Sequence, residues 1–423
     1  MGAWTAATVG SNLMFAQRKQ FFANINESSK FTKLIKNVGT ADVQSEGDMF
    51  YVWGDVVTAK GFATRPFTSE TMSRPTAYPP TLAIAKWQCY DWWHPFQISG
   101  KLAMQGQMIS KLDALSTYMK VTAEEIAFHR ELILTGNHNG ILGKVKGTTS
   151  SSTSLVVEDA SKFRVGQYID QIATATTAYG SASPVDVLIT AVNLKTNTLT
   201  TASNSFTDGY YLTMQDSAQL YPMGLMDLVN DGTTYTQDSV EVILGQTTYA
   251  GLTKSSTQGW NSYIEQVTGA LTEKAWNNFL ANAVGFYNDN EIPWTHALVN
   301  PKTFGYMKSI LAPNFRTMSS TDATIRLGAL GVELWIPESA QKTFGVIPCG
   351  RIPPKCIVFI TAPDIGIRYP QEPSWRRPNG QILQENTNET AGTFTFTGSF
   401  IGIETLIGHP HMHGALIFST ASA

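Results

Sequence analysis

Met49 to Lys60 (MFYVWGDVVTAK) and Thr81 to Trp93 (TLAIAKWQCYDWW) are β-branched and aromatic runs, and each predicts a strand. The stretch between them, Gly61 to Pro80, is rich in Pro, Thr, Ser and Arg, so the pair reads as a hairpin with a long tip. A two-stranded hairpin is marginal alone in water, so runs this apolar need a further surface, in their own domain or on a neighbour. From Ser99 the period changes: Leu102, Ile109, Leu112, Leu115, Met119, Ile126 and Ile133 fall near one helical stripe. Ser99 is placed to cap that helix and Gly136 to stop it. The result is about 35 residues, roughly 50 Å at the α-helical rise and far beyond the usual three turns. Thr122-Ala123-Glu124-Glu125 has the pattern of a capping box, which allows a break and restart there.

Residues 1–45 are polar and lack a sustained period, as expected of an extended arm with one short helix. Gly147 to Met214 turns to Ser, Thr, Val and Ala with frequent turn signals (Gly166, Tyr179-Gly180, Lys195-Thr196-Asn197, Asp208-Gly209), which predicts a small, inserted all-β domain. Beyond Gln219 the pattern gives a loop-rich link to Gln266, a helix over Leu271 to Tyr287, a strand over His296 to Asn300 and a helix over Thr303 to Leu311. Strands follow at Val332 to Ile336, Cys356 to Thr361, Ile365 to Arg368, Thr393 to Ile403 and Ala415 to Phe418. The class is α+β.

Composition narrows the roles open to such a chain. At 423 residues it can bury more than one core. A net charge of -3 with 15% charged residues sets up no strong field, so nucleic acid or membrane is not expected as the main partner. The 43% hydrophobic residues and ten Trp leave material for interfaces with protein. Cys89, Cys349 and Cys356 form neither a disulfide framework nor a C-x-x-C pair and read as reduced, buried thiols. Met1 to Phe22 mixes polar and charged residues with apolar ones, unlike a signal peptide. Ala6 replaces the Ser or Thr that myristoylation of Gly2 would need, and no segment is apolar enough to span a bilayer.

No nucleotide-binding loop, nucleophile elbow or zinc-protease motif occurs, so no catalytic, cofactor-binding or metal residue is assigned. The cluster His409-Pro410-His411-Met412-His413 would present three imidazoles on one face of a strand, a geometry open to zinc or copper and hence to a His-dependent metalloenzyme. Against that, Glu404 would lie on the opposite face, Pro410 favours a turn, and no second shell is visible nearby. The inserted module has few charges and no aromatic platform for glycans, so display or docking suits it better than chemistry. On the hairpin tip, Lys60, Arg65, Glu70 and Arg74 are either solvated or paired across subunits.

Taken in order, the chain resembles the major capsid proteins of tailed bacteriophages, which share the Hong Kong 97-type fold. The phrases that carry the likeness are Ala297-Leu298-Val299-Asn300-Pro301, Gly331-Val332-Glu333-Leu334-Trp335-Ile336-Pro337, Ile352-Pro353-Pro354-Lys355-Cys356-Ile357-Val358-Phe359-Ile360 and the ending from Gly408-His409-Pro410 through Ile417. The resemblance implies an N-terminal arm (1–45), an E-loop hairpin (46–95) and a P domain with its spine helix (96–144). It then implies a β-rich insertion (145–215), a link (216–239), an A domain (240–370) and return strands to the P domain (371–423). It further implies a structural protein, not an enzyme, that assembles into pentamers and hexamers around a viral genome. Its expected partners are itself, scaffolding and portal proteins, with the scaffold either a separate protein or a region removed by prior cleavage, a decoration protein on the insertion, and DNA held without sequence preference on the inner face. Its expected places are the virion capsid and, during assembly, the host cytoplasm. An encapsulin-like compartment shell is the nearest alternative. Some members join subunits by a Lys-to-Asn isopeptide bond, for which Lys60 would be the donor.

Overall fold

The computed structural model describes residues 29–37, 44–46, 49–57, 81–99, 109–237, 240–254, 260–287, 292–307, 332–334, 344–377, 384–388 and 393–419. Three sheets organise them. In the first, Thr393–Ile407 is flanked by Gly366–Trp375, Gln384–Asn388 and Tyr90–Ser99, and Lys36–Asn37 adds a parallel edge on Gly366–Trp375. Its longest ladder is antiparallel and runs from Thr395 opposite Ser99 to Glu404 opposite Tyr90. The expected strand over Thr81 to Trp93 is two strands. Thr81–Gln88 pairs with Met49–Val57 as the hairpin, and after Cys89 the chain enters the larger sheet as Tyr90–Ser99. Ser99 is therefore a ladder residue opposite Thr395 and does not cap the helix.

The long helix is observed over Ile109–Thr135, 27 residues without interruption and about 40 Å long. It does not restart at Thr122. That side chain is buried while Glu124 and Glu125 are exposed, and a capping box would need Thr122 to leave helical geometry. From Thr122 onward burial extends over more than one stripe, to Ala123, Ile126, Ala127, Phe128, Arg130, Leu132, Ile133 and Leu134, because the helix is enclosed by several elements. It does stop at Gly136, whose N–H still donates to the Leu132 carbonyl at 2.9 Å. The next element crosses so close that a Cβ on Gly224 would sit 2.4 Å from the Gly136 carbonyl oxygen, so glycine is required there.

The Ser- and Thr-rich stretch forms a separate six-stranded sheet, in the order Ile141–Lys144, Tyr211–Met214, Tyr168–Ile172, Val187–Asn193, Thr198–Phe206, Thr149–Val156. Leu155, Ile169, Val187, Ile189, Leu199 and Leu212 fill its core, joined by Phe128 and Leu132 of the long helix.

The third sheet is the most apolar. Its order is Tyr263–Ala270, Gly414–Ser419, Cys356–Ile360, His296–Val299, Phe344–Pro348, Val332–Leu334. Every residue of Cys356–Ile360 is buried, as expected of a central strand covered on both faces. Alternation divides its neighbours between two cores. Leu298, Cys356, Val358, Ile360, Ala415 and Ile417 face one, whereas Ala297, Val299, Ile357, Phe359, Leu416 and Phe418 face the other. The second core is closed by the helix Glu273–Phe286, which Thr272 caps by accepting from the Ala275 N–H and which buries Trp276, Phe279, Leu280 and Ala283. Trp294 stacks on Phe359 at 4.4 Å and on Phe279 at 5.6 Å.

Two expectations change here. The link before Gln266 is not merely loop, since it contains the hairpins Tyr235–Gln237 with Val240–Ile243 and Thr248–Tyr249 with Leu252–Thr253, and the strand from Tyr263. The last strand does not return with 393–407: Gly414–Ser419 pairs with Tyr263–Ala270 and Cys356–Ile360, and every one of its residues is buried, as suits a strand covered on both faces.

Candidate functional site

The four tip residues singled out from sequence, Lys60, Arg65, Glu70 and Arg74, lie outside the described residues. In the strand Thr81–Gln88, burial alternates strictly from Ile84 onward. Ala85, Trp87 and Cys89 are buried, whereas Ile84, Lys86 and Gln88 are exposed. Trp87 anchors the hairpin, donating through Nε1 to the Tyr249 hydroxyl at 3.1 Å beside Trp260.

Tyr90–Ser99 also has two faces. Trp92 and His94 turn toward the long helix and Phe96 packs on Trp375, whereas Asp91, Trp93 and Gln97 are exposed. On the inner face a buried ion pair joins helix to sheet: Arg130 Nε and Nη2 lie 2.8 and 2.7 Å from the two oxygens of Glu404, and Trp92 Nε1 donates to Oε1 at 3.0 Å. Both side chains are sealed, at 1% and 0% exposure. Trp92 reaches Glu404 by lying over Gly402, where a Cβ would be only 2.4 Å from its ring. Burial lowers the pKa of His94 and of His129 to about 4, so His94, 3.9 Å from Glu125, is neutral at physiological pH.

On the outer face Trp93 is 50% exposed. Its indole N–H donates to Asp91 at 2.7 Å, and the Arg376 guanidinium lies 4.7 Å from its ring. These groups, with Ile401 and Ile403, line an open cleft of about 310 Å³. An exposed aromatic among apolar and cationic neighbours is the composition of a protein contact surface.

Two polar clusters help to fasten the six-stranded sheet to the body. At one, Arg164 and Arg351 both lie over the Phe128 ring, 3.7 and 3.8 Å from its centroid. Two groups so close to one centroid must occupy opposite faces. Arg351 also donates to the Ser161 carbonyl at 2.8 Å, and Ser161 donates to the Gly350 carbonyl at 3.2 Å. At the other, Lys144 donates to Glu241 at 2.9 Å.

The histidine cluster is built differently from the sequence expectation. Pro410–Met412 is a 3₁₀ turn and the strand begins only at Gly414, so the three imidazoles do not share a strand face. His409 and His413 converge on Asp364, a partner hidden from the sequence by the distance along the chain. The Thr361 N–H donates to His413 Nδ1 at 3.2 Å, which leaves the ring proton on Nε2, 3.1 Å from Asp364 Oδ2. Asp364 also accepts from the His409 ring at 2.7 Å and from its backbone N–H at 2.8 Å. Although burial opposes it, these donors hold the Asp364 carboxyl well below the usual carboxylate range. Hydrogen bonding to Asp364 raises the pKa of His409, while burial lowers that of His413. His411 instead packs on Phe286 and Tyr287, at 5.0 and 5.2 Å. The arrangement clamps a turn, and every named polar atom in it is engaged by protein.

A second buried cluster gave no sequence signal. Lys254, 1% exposed, donates to the carbonyls of Asp227 and Asn230 at 2.8 and 2.9 Å, and burial lowers its pKa to about 7 against the pull of Asp227 and Asp231. The Asp227 carboxylate in turn accepts from the backbone N–H groups of His138 and Gly224. The cluster ties the end of the long helix to the turn beneath it. Cys89, Cys349 and Cys356 are free and buried, and burial pushes the Cys349 thiol up to about 12, so it is unreactive.

No protein-family profile matches the sequence, and no curated protein matches it. Solved structures do. The cyanophage A-1(L) capsid asymmetric unit aligns over 93% of this chain and 93% of its own, at 11% identity and a TM-score of 0.50. The satellite phage P4 procapsid aligns over 95% and 90% at 11% identity and a TM-score of 0.40. The capsid of the native GTA particle aligns over 93% and 91% at 11% identity and a TM-score of 0.41. The cyanophage likeness, running almost end to end, establishes the architecture: this is an α+β chain with the Hong Kong 97-type fold, carrying a six-stranded sheet between its long helix and its later elements.

Proposed function

We propose that this chain is a structural shell subunit, a major capsid protein, which assembles into pentamers and hexamers to enclose a genome. The observation that carries the reading is the match of nearly the whole chain to nearly the whole of a capsid subunit. The face of Trp93, Ile401 and Ile403, left uncovered in the single chain, supports it, because a second copy would bury that apolar area. Residues 1–45 then serve as the arm, 46–95 as the E-loop and 96–144 as the P domain with its spine. Residues 145–215 form the outward insertion, 216–239 the link, and 240–370 the A domain, to which the final strand of the 371–423 segment is added. Lys60, Arg65, Glu70 and Arg74 are proposed as contacts between subunits. Scaffolding and portal proteins act during assembly in the host cytoplasm, the insertion offers a seat for a decoration protein, and DNA lies against the inner face.

The test is electron microscopy of the expressed protein, alone and with the products of neighbouring genes. Closed shells, and loss of those shells on reversing Arg65 and Arg74 to Glu together, are the expected outcome. Monodisperse monomers under every condition would overturn the reading, and shells loaded with a protein cargo in place of nucleic acid would convert it to an encapsulin-like compartment.

A further inference from the structure

The junction between the six-stranded sheet and the body holds a carboxylate, Glu158, beside an ion pair that already joins the two. Lys144 ends the root strand Ile141–Lys144 of the sheet, and its ammonium reaches across to Glu241 Oε1 at 2.9 Å, on Val240–Ile243 of the body. Tyr211, also of the sheet, donates to Glu241 Oε2 at 2.8 Å, and Lys144 lies 4.8 Å from the Tyr211 ring. Glu158 sits beside the same root strand, because its backbone N–H donates to the Lys144 carbonyl at 3.0 Å. Glu158, Lys144, Tyr211 and Glu241 line one cavity of about 70 Å³, enough for a few waters. Among the described residues, no hydrogen bond or ion pair reaches the Glu158 carboxylate.

We propose that this junction is a proton-operated latch: while Glu158 is protonated, Lys144 is held by Glu241 and straps the sheet to the body, and when Glu158 ionises, Lys144 is drawn to it and the strap opens. The proton leaves to solvent through the cavity. The choice before Lys144 is between a carboxylate on its own sheet and one on the body, so its position decides whether the charged contact between the two units is made, while the Tyr211 hydroxyl keeps its hydrogen bond to Glu241.

Among the charges facing Glu158, Lys144 exerts the largest pull. Asp159 is committed to Ser161, through Ser161 N–H at 3.1 Å and Ser161 hydroxyl at 2.7 Å. Arg351 is committed to the Ser161 carbonyl and stacked on Phe128. Lys162 lines the cavity, but burial disfavours its charge. Lys355, on the segment leading into Cys356–Ile360, and Lys146, just beyond the root strand, both favour ionised Glu158, and Glu241 opposes it. Burial is the largest influence and pushes the Glu158 carboxyl up to about 7. A carboxyl whose pKa is raised by the closed state favours that state at low pH, and the preference is lost as pH rises toward the raised value. The latch is therefore closed in mild acid and opens through neutrality.

The latch belongs to the single chain and does not rest on the shell reading, so it is testable on assembled or unassembled protein. Hydrogen–deuterium exchange is measured from pH 6 to pH 8, corrected for intrinsic exchange, on peptides covering 141–146 and 240–244. The wild type is expected to lose at least tenfold protection in both peptides with a midpoint near pH 7. Glu158→Gln should hold the protected state at pH 8, and Lys144→Met should give the exposed state at both extremes. Glu241→Gln, which frees Lys144 to pair with Glu158 from the start, should leave no step near neutrality. A wild type without the step, or a Glu158→Gln protein that keeps it, would overturn the proposal. Should Glu158→Gln fail to fold, the Glu241→Gln profile decides in its place.

Discussion

Two ion pairs that fasten elements of this molecule, Arg130–Glu404 and Lys144–Glu241, use the same chemistry in opposite settings. Arg130 and Glu404 are sealed at 1% and 0% exposure, with bidentate geometry and a third donor from Trp92. Lys144 and Glu241 are 22% and 20% exposed, at the edge of a small cavity with a second carboxylate, Glu158, beside them. The first pair is sealed from solvent, so it fixes the long helix on the sheet that carries 393–407. The second is part-exposed beside Glu158, and so it can be exchanged at small cost. Burial, more than the identity of the charges, separates a rivet from a latch.

The sharpest way to break that contrast is to remove half of the sealed pair. Glu404→Leu strands the Arg130 guanidinium in a dry interior and should cost about 3–5 kcal/mol, read by chemical denaturation. Arg130→Met combined with Glu404→Leu should recover most of the loss, leaving about 1 kcal/mol for the orphaned Trp92 N–H. If the single variant were as stable as wild type, the pair would not be sealed and the comparison would collapse.

How much of this the sequence disclosed follows the same division. The apolar strands of the third sheet were legible because burial on both faces leaves a run such as Cys356–Ile360 with no other use. The long helix was legible in extent but not in boundary. Ser99 has the chemistry of a cap, yet ten cross-strand pairs carry it into a ladder. Asp364 and the His409-to-His413 turn lie 45 or more positions apart, and nothing local announces that they meet. The same holds for Glu404 with Arg130 and for Lys254 with the 227–230 turn, because a buried polar group is specified by the tertiary contacts that satisfy it. The tip residues of the hairpin remain as the sequence left them, outside the described residues.

Asp364 stands between the two ion pairs in exposure, at 13%, and carries two imidazoles, and Asp364→Asn should cost about 1–3 kcal/mol near neutrality. The pH dependence gives its sign. Because the folded state depresses the Asp364 carboxyl, its contribution is complete above the unfolded value near 3.8 and is lost as pH falls below it. His413, depressed by burial, likewise loses stability as pH falls below 6.5. His409 is raised, so its contribution is present below 6.5 and lost as pH climbs through its folded value. Thermal unfolding from pH 3 to pH 8 should show the wild type weakening at the acid end, with Asp364→Asn flattening the alkaline loss that belongs to His409.

The smallest effect belongs to the open pair. Lys144→Met leaves the (CH₂) stem in place over Tyr211 and removes only a part-exposed charge contact, so global stability should fall by about 0.5–1 kcal/mol, several times less than for Glu404→Leu. Its consequence should instead be local. The six-stranded sheet keeps its second fastening, where Arg164 and Arg351 enclose Phe128, and so it should loosen at 141–146 without unfolding. Replacing Phe128 with Leu in the Lys144→Met background tests that division of labour. If the two fastenings act on one interface, the double variant should be less stable than the sum of the singles, because each single loss is buffered by the fastening that remains. Simple additivity, measured by denaturant midpoints, would mean that the sheet is held at two independent points and that opening one does not weaken the other.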